Sequence, residues 1–168
     1  MMTARRTLSV ASAVVMSAAA IAAAAPADAG PNDVALNGTF VAFSDGQWSK
    51  TRERFEPRPS VTSVWTLTSS CTSFQDCTGT LVSDQGWSAP LVYLSQRWRA
   101  TRVIPGWLKC PDGTTADGTQ SFTFWARRFD VPERLDRMVG FDETIGPSGA
   151  CGVNRWMNVR MPLTVTRR

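Results

Sequence analysis

Residues 61–87 have the sequence VTSVWTLTSSCTSFQDCTGTLVSDQGW, and this stretch decides the fold class. Val61, Trp65 and Leu67 share one parity with two serines, while the other parity is mostly threonine. Alternation with a period of two, in residues such as Val, Thr and Trp, is typical of β-strands. A second alternating run follows over residues 78–82, and the polar link between the runs predicts a turn. The stretch therefore predicts a β-hairpin that leads, after Gly86, into another strand at Trp87.

The same chemistry occurs once more, before this hairpin. Residues 36–43 alternate toward Ser44-Asp45-Gly46 and Trp48, which is either a faint internal repeat or, as we favour, hairpin chemistry used twice. Along the rest of the chain, only Val131–Asp136 has the character of a helical turn. The count of eight to ten short strands predicts an all-β fold. We expect an antiparallel meander forming a closed or partly closed β-barrel, with a β-sandwich as the alternative.

The first 29 residues predict a helical signal peptide. Arg5 and Arg6 precede an almost wholly small and apolar run, and Ala27-Asp28-Ala29 matches the small-residue pattern of a cleavage site. A retained membrane anchor is the alternative, but no basic cluster follows the apolar run. We expect a secreted or cell-envelope protein in which residues 30–168 form a single β domain, with no stable membrane insertion after cleavage.

The four cysteines all lie in the predicted mature domain. An even number of cysteines in an exported chain indicates disulfides. Four cysteines allow three connectivities, of which we favour Cys71–Cys77, flanking one turn, and Cys110–Cys151, joining two distant loops. The sequence has no CxxC pair, so a thiolate zinc site is disfavoured.

The complete absence of histidine excludes several kinds of chemistry. It removes Ser-His-Asp and Cys-His nucleophilic systems and histidine-ligated metals. No phosphate-binding loop or dinucleotide-binding glycine pattern occurs, so we predict no cofactor and no metal.

The 18 basic and 14 acidic residues give a formal net charge of +4, and the basic residues are scattered. A nucleic-acid-binding domain usually shows a denser basic footprint, so we expect no nucleic-acid partner.

Six short segments of the mature domain stand out together: Gly38-Thr39-Phe40, Trp65–Cys71, Cys77-Thr78-Gly79, Ser83–Trp87, Cys110-Pro111-Asp112-Gly113 and Gly149-Ala150-Cys151-Gly152. In these segments the chain resembles a group of small exported mycobacterial proteins of unknown function. The order of the four cysteines is the most specific part of the resemblance. It implies export and disulfides, and it carries over no catalytic residue.

The seven tryptophans motivate a binding function. A barrel of about eight strands can enclose one ligand, so the first hypothesis is a binding protein for a small apolar or lipid-like molecule or an envelope component. Trp107 and Trp156 lie beside loops and, with Arg155, are the candidate ligand-binding residues. The second hypothesis is a protein-interaction or sensor domain with an exposed aromatic patch.

The third hypothesis is a hydrolase that uses paired carboxylates. The nearest candidates are Asp112, Asp117, Asp142 and Glu143. Asp112 and Asp117 each precede glycine and are typical of turns, and adjacent residues such as Asp142 and Glu143 project to opposite sides of a strand. We therefore predict a binding protein and not an enzyme.

Overall fold

The alternating residues of the central stretch form paired strands. The computed structural model describes residues 34–127 and 135–168, and the predicted signal peptide lies outside these ranges. Within them the chain forms ten strands, which are β1 (Gly38–Ser44), β2 (Lys50–Thr51), β3 (Arg54–Phe55), β4 (Val61–Ser73), β5 (Asp76–Ser83), β6 (Trp87–Leu94), β7 (Arg97–Lys109), β8 (Thr115–Ala126), β9 (Arg137–Ile145) and β10 (Asn158–Arg167).

Eight of these strands close into an antiparallel barrel. The ring runs β1–β4–β5–β6–β7–β8–β9–β10, and β10 returns to β1 through pairs that extend from Phe40↔Arg167 to Ser44↔Leu163. β2 and β3 lie outside the ring, where they extend the sheet beside the first residues of β10. The predicted barrel is thus confirmed over the sandwich alternative, because one continuous sheet closes on itself.

The tight turns follow the chemistry of their residues. Ser95 and Gln96 both have positive φ, at 52° and 61°, as a two-residue type I′ hairpin turn requires. Gly86 has a φ of 79° in the turn before β6, where glycine carries no steric penalty. These turns join neighbouring strands of the ring, so β4 to β10 follow one another in chain order, as a meander does.

The segment after β1 departs from the predicted hairpin. Gly46–Trp48 forms a 3-10 turn instead of a return strand, and the Asp45 carboxylate accepts from Gln47 N. A Cβ at Gly46 would lie 2.2 Å from the carbonyl oxygen of Arg58, so only glycine lets these two backbone segments approach. β1 therefore pairs with β4 and β10, and the two similar sequence segments do not form two similar hairpins.

The two disulfides mark opposite ends of the barrel. Cys71–Cys77 spans the β4–β5 hairpin, and Cys110–Cys151 joins the β7–β8 turn to the β9–β10 loop. Both pairings confirm the predicted connectivity. We call the end that carries Cys110–Cys151 the upper end, and the other the lower end.

Most of the barrel interior is filled by large apolar side chains. Apart from Leu36, which precedes β1, they come from the inward parity of every strand in the ring, as the period-two pattern predicts. The fully buried members are Leu36, Phe40, Trp65, Leu67, Leu81, Leu91, Trp98, Phe124, Met138, Leu163 and Val165.

The predicted helical turn at Val131–Asp136 falls mainly on residues outside the described ranges, and only Leu135 and Asp136 are described, as a turn. Across the described part of the chain, no helix has the length and apolar character needed to cross a bilayer.

Candidate functional site

Buried polar side chains gather inside the upper end of the barrel. They lie on the inward parity of their strands, close to where each strand reaches that end. The group consists of Ser44, Ser63, Ser83, Gln120, Asp142 and Thr144. Buried polar groups are almost always hydrogen-bonded, so the partners of this group decide its chemistry.

Asp142 is the centre of this polar group. Its Oδ2 accepts from the Ser44 hydroxyl at 2.8 Å, and its Oδ1 accepts from the Gln120 amide Nε2 at 2.8 Å. Loss of hydration raises the pKa of the Asp142 carboxyl above its ordinary value. The hydrogen bonds from Gln120 and Ser44 and the positive charge of Arg102 oppose that rise. The barrel thus holds one deeply buried acid whose two oxygens both have partners.

Arg102 links this buried acid to the rim of the barrel. Its Nε donates to Gln120 Oε1 at 2.7 Å, and its guanidinium carbon lies 4.0 Å from the centroid of the Trp87 ring. Burial lowers the pKa of Arg102 while the Asp142 charge raises it, and a guanidinium remains cationic at neutral pH. Among the described residues, the terminal Nη1 and Nη2 of Arg102 have no hydrogen-bond or ion-pair partner.

The pairing of β6 with β7 ends before it reaches this guanidinium. β6 and β7 pair with each other over residues 91–94 and 97–100 only. Their upper parts, residues 87–90 and 101–104, pair with β5 and β8 respectively but not with each other. Trp87 and Arg102 lie on these two segments, so the cation is beside a part of the sheet where β6 and β7 are not paired; we call this unpaired part the gap.

An aromatic wall stands next to the polar network. The Trp87 ring stacks on Phe122, with centroids 5.5 Å apart and an interplanar angle of 3°, and Phe122 meets Trp65 edge-on at 4.9 Å. The indole Nε1 atoms of Trp65 and Trp87 are buried without an acceptor among the described residues. A buried donor without an acceptor carries a desolvation cost, so a hydrogen bond from either of these two indole N–H groups to an added acceptor would be favourable.

The outside of the upper end carries large exposed aromatic side chains. Trp48 is 61% exposed, Phe55 63% and Trp156 62%. Trp48 and Phe55 contact each other at 6.0 Å, and the Lys50 ammonium lies 5.2 Å from the Phe55 centroid. Trp156 precedes β10, the strand beside which β2 and β3 lie. We call these three residues the upper aromatic surface.

All three residues predicted to bind a ligand lie at the upper end. Arg155 and Trp156 are exposed in the β9–β10 loop. Trp107 is half-buried near the end of β7, where its ring covers Gly118 and Gly146; a Cβ at Gly118 would lie 2.8 Å from the indole. Trp107 therefore supports the base of the loop that carries Arg155 and Trp156. Whether these residues bind a ligand stays a prediction.

The carboxylates named for a hydrolase have structural partners. Asp142 faces inward and Glu143 outward, as predicted, and Glu143 accepts from Asn158 Nδ2 at 2.6 Å. Asp112 accepts from Thr114 N in the β7–β8 turn. Asp117 lies within β8 and accepts from Gly106 N at 2.8 Å across the β7 bulge, so it does not form the loop turn that its Asp-Gly sequence predicts. Residues 34–127 and 135–168 contain no group of three or more Cys, Asp or Glu side chains arranged to hold a metal.

Comparison with known proteins finds likeness in structure alone. No family model matches the sequence, and no curated protein does. Among 17 matching chains of solved structure is the monomer form of the M. tuberculosis PknI sensor domain. Its TM-score is 0.57 at 14% identity, and the match covers 80% of this chain and 88% of that one. This likeness establishes the fold. The two disulfides are typical of exported proteins.

Sequence reasoning did not select Gln120 or Arg102 for the site, and it considered Asp142 only as a disfavoured hydrolase candidate. Gln120 and Asp142 carry a detectable signal, because each is a polar residue on the parity that otherwise holds Phe122, Phe124 and Met138. Arg102 follows Trp98 and Ala100 on the inward parity of β7 in the same way. No sequence signal indicated that Trp48 and Phe55 would be exposed together.

Proposed function

We propose that this protein is an exported recognition domain of the sensor type, which binds an extracellular or envelope partner through the upper aromatic surface. The observation that carries the proposal is the exposure of Trp48, Phe55 and Trp156, each above 60%. Single exposed apolar residues are normal, but a larger exposed apolar patch marks an interaction site, and Trp48 and Phe55 are in contact with each other. Tryptophan is also enriched at interfaces and among the residues that dominate binding energy.

The packing of the barrel favours an external surface over an internal ligand. Large side chains fill most of the interior, and Trp65, Trp98 and Phe124 alone contribute three bulky aromatic rings there. A barrel that holds an apolar molecule needs an apolar chamber, whereas the upper interior is occupied by the Asp142 network. The proposal therefore follows the interaction hypothesis.

The chemistry of the surface combines aromatic area with positive charge. Lys50 lies over Phe55, and Arg155 is exposed next to Trp156. Such a surface suits a partner that presents apolar groups beside anionic ones. The Cys110–Cys151 disulfide and the Trp107 ring hold the β9–β10 loop, which carries the Trp156 part of the surface.

The proposal includes no catalytic step. The inward Asp142 and the outward Glu143 are on opposite faces of β9, and Asp112 and Asp117 bond backbone amides. One of the solved structures that share the fold is named as a sensor domain, which agrees with a recognition role.

The lower end supplies a matched control for the test. Phe74 and Leu94 lie in lower-end hairpins and are 65% and 70% exposed, comparable to the upper residues. We would measure co-sedimentation of the purified mature protein with washed mycobacterial cell envelopes. Variants would be W48A/F55A/W156A and F74A/L94A, each checked for an unchanged melting temperature.

We expect the upper triple variant to lose at least about tenfold in apparent affinity, while the lower double variant binds as the wild type does. If the wild type fails to co-sediment, or if both variants lose binding equally, the upper aromatic surface is not the recognition site.

A further inference from the structure

The geometry points to a second binding site, separate from the upper aromatic surface, in which Arg102 binds a single carboxylate group at the gap between β6 and β7. Arg102 is anchored by one nitrogen only, because Nε donates to Gln120. The two terminal nitrogens form a planar fork without a partner in the described part of the chain. Such a fork matches the two oxygens of a carboxylate in bidentate geometry.

The Trp87 ring fixes the orientation of this fork. With the guanidinium carbon 4.0 Å from the ring centroid, one side of the cation is covered by the indole, which itself stacks on Phe122. Stacking and the Nε hydrogen bond together restrict the side chain before any ligand arrives. A pre-organised group loses less conformational entropy on binding. The buried Nε1 of Trp87 is a further donor on the same side chain.

Asp142 does not occupy the fork. Both of its carboxylate oxygens are already engaged by Ser44 and Gln120. Burial lowers the pKa of Arg102, and the negative charge of Asp142 opposes that lowering. The negative charge of Asp142 repels any anion that approaches Arg102. This repulsion is smaller for a singly charged ligand than for a doubly charged one. The arrangement therefore favours a carboxylate over a phosphate.

In this proposal the ligand enters through the gap, where β6 and β7 are not paired. Residues 87–90 are Trp-Ser-Ala-Pro and residues 101–104 are Thr-Arg-Val-Ile, so neither separated segment carries an acidic residue that would repel an anion. Ser88, Pro90 and Val103 are exposed on the outer side of the gap. Separated strands also leave backbone groups facing the gap, which suits the carboxyl terminus of a peptide as well as a free acid.

The test uses the full mature protein at pH 7, with the indole N–H resonance of Trp87 and the Nε–H resonance of Arg102 as reporters. The probes are sodium acetate, N-acetylalanine, its carboxamide, and inorganic phosphate, at constant ionic strength. The control variant is R97Q, because Arg97 also stacks on a tryptophan, Trp125, with its guanidinium carbon 4.7 Å from the centroid, but on the outside of the barrel. R102K and R102Q remove the fork, and D142N removes the buried charge.

We expect saturable shifts with acetate and N-acetylalanine, with dissociation constants on the order of millimolar. The carboxamide should cause none, and phosphate should bind more weakly than acetate. R102K, which keeps the charge, should weaken binding about tenfold, whereas R97Q should not change it. D142N should bind acetate more tightly. Tighter binding of N-acetylalanine than of acetate would assign the site to peptide carboxyl termini, and equal binding would assign it to free acids.

The proposal is overturned if acetate causes no saturable shift in the wild type, or if the shift persists in R102K and R102Q at wild-type affinity. Equal binding of the carboxamide would also overturn it. The variants W48A, F55A and W156A leave these residues intact, so failure of the recognition surface would not remove this site.

Discussion

Asp142 and Arg102 are joined through a single amide side chain. Gln120 donates from Nε2 to Asp142 Oδ1 at 2.8 Å and accepts at Oε1 from Arg102 Nε at 2.7 Å. This fixes the orientation of the amide, since a flipped Gln120 would place its donor against the guanidinium and its oxygen against the carboxylate. Gln120 therefore holds the Arg102 guanidinium and the Asp142 carboxylate in a fixed arrangement relative to each other.

Replacement of Gln120 by leucine should destabilise the fold. The Gln120→Leu variant leaves Asp142 Oδ1 and Arg102 Nε without partners, and a hydrogen bond to a charged group contributes about 1.5–3 kcal/mol. We expect a loss of about 3 kcal/mol in the free energy of unfolding measured with urea. Gln75→Leu, in the exposed β4–β5 turn, is the control and should cost little. A cost for Gln120→Leu no greater than for the control would show that the network does not stabilise the barrel.

Asp142→Asn should remove a pH dependence of stability. Burial raises the pKa of Asp142 in the folded state above its unfolded value. Between those two values the folded state binds more protons than the unfolded state, so stability falls as pH rises and stays at the lower level above the folded pKa. Asparagine avoids this penalty, because its oxygen can accept from Gln120 and its amide can donate to Ser44.

The measurement is urea unfolding of wild type and Asp142→Asn from pH 4 to pH 7. The difference in free energy of unfolding, variant minus wild type, should increase with pH and then level off, while all other titrating groups cancel. Asp142→Leu, which cannot form either hydrogen bond, should be less stable than Asp142→Asn at every pH. A difference that is constant with pH, or that decreases, would contradict the raised pKa.

Removal of the Cys110–Cys151 disulfide should loosen the loop that presents Trp156. The bond closes a separation of 41 residues, for which chain-entropy arguments give about 4 kcal/mol. In C110A/C151A we expect lower stability and faster amide hydrogen exchange over residues 146–157. In C71A/C77A, which opens the lower β4–β5 hairpin, exchange over residues 146–157 should remain slow. Faster exchange there in both variants would mean that the loop is not held locally by its own disulfide.

The strands and disulfides could be predicted because their information is local. Alternation over residues 61–87 specifies β4 and β5, and Cys71 and Cys77 flank the turn between them. The partners of β1 could not be predicted in the same way. Gly46 lies against the carbonyls of Arg58 and Pro59, and this close contact replaces the expected hairpin at Trp48 with a 3-10 turn.

The candidate site was less predictable than the fold. A polar residue on an apolar parity, such as Gln120 or Asp142, is visible in the sequence, but its partner is not. Ser44 and Asp142 are 98 positions apart, and only closure of β1 onto β10 brings them together. Arg102 meets Trp87 beyond the last β6–β7 pair, and no turn or periodicity signals where that pairing ends.

Alanine at Gly140 should be among the most damaging single substitutions in the barrel. A Cβ at this position in β9 would lie 1.9 Å from the carbonyl oxygen of Thr123 on β8, and backbone cannot move aside as a flexible side chain can. Relief requires β8 and β9 to shift, and these strands carry both Gln120 and Asp142. We expect Gly140→Ala to cost about 3 kcal/mol or more in the free energy of unfolding.

Gly86→Ala separates this steric effect from the conformational cost of losing a glycine. Gly86 has a φ of 79°, but a Cβ there would meet no atom within 4 Å. Its replacement should therefore cost only the backbone penalty, about 1–2 kcal/mol. Urea unfolding of the two variants gives the comparison. If Gly140→Ala were no more costly than Gly86→Ala, the close approach of β8 and β9 would be easily relaxed, and the strand spacing around the Asp142 network would not be fixed by Gly140.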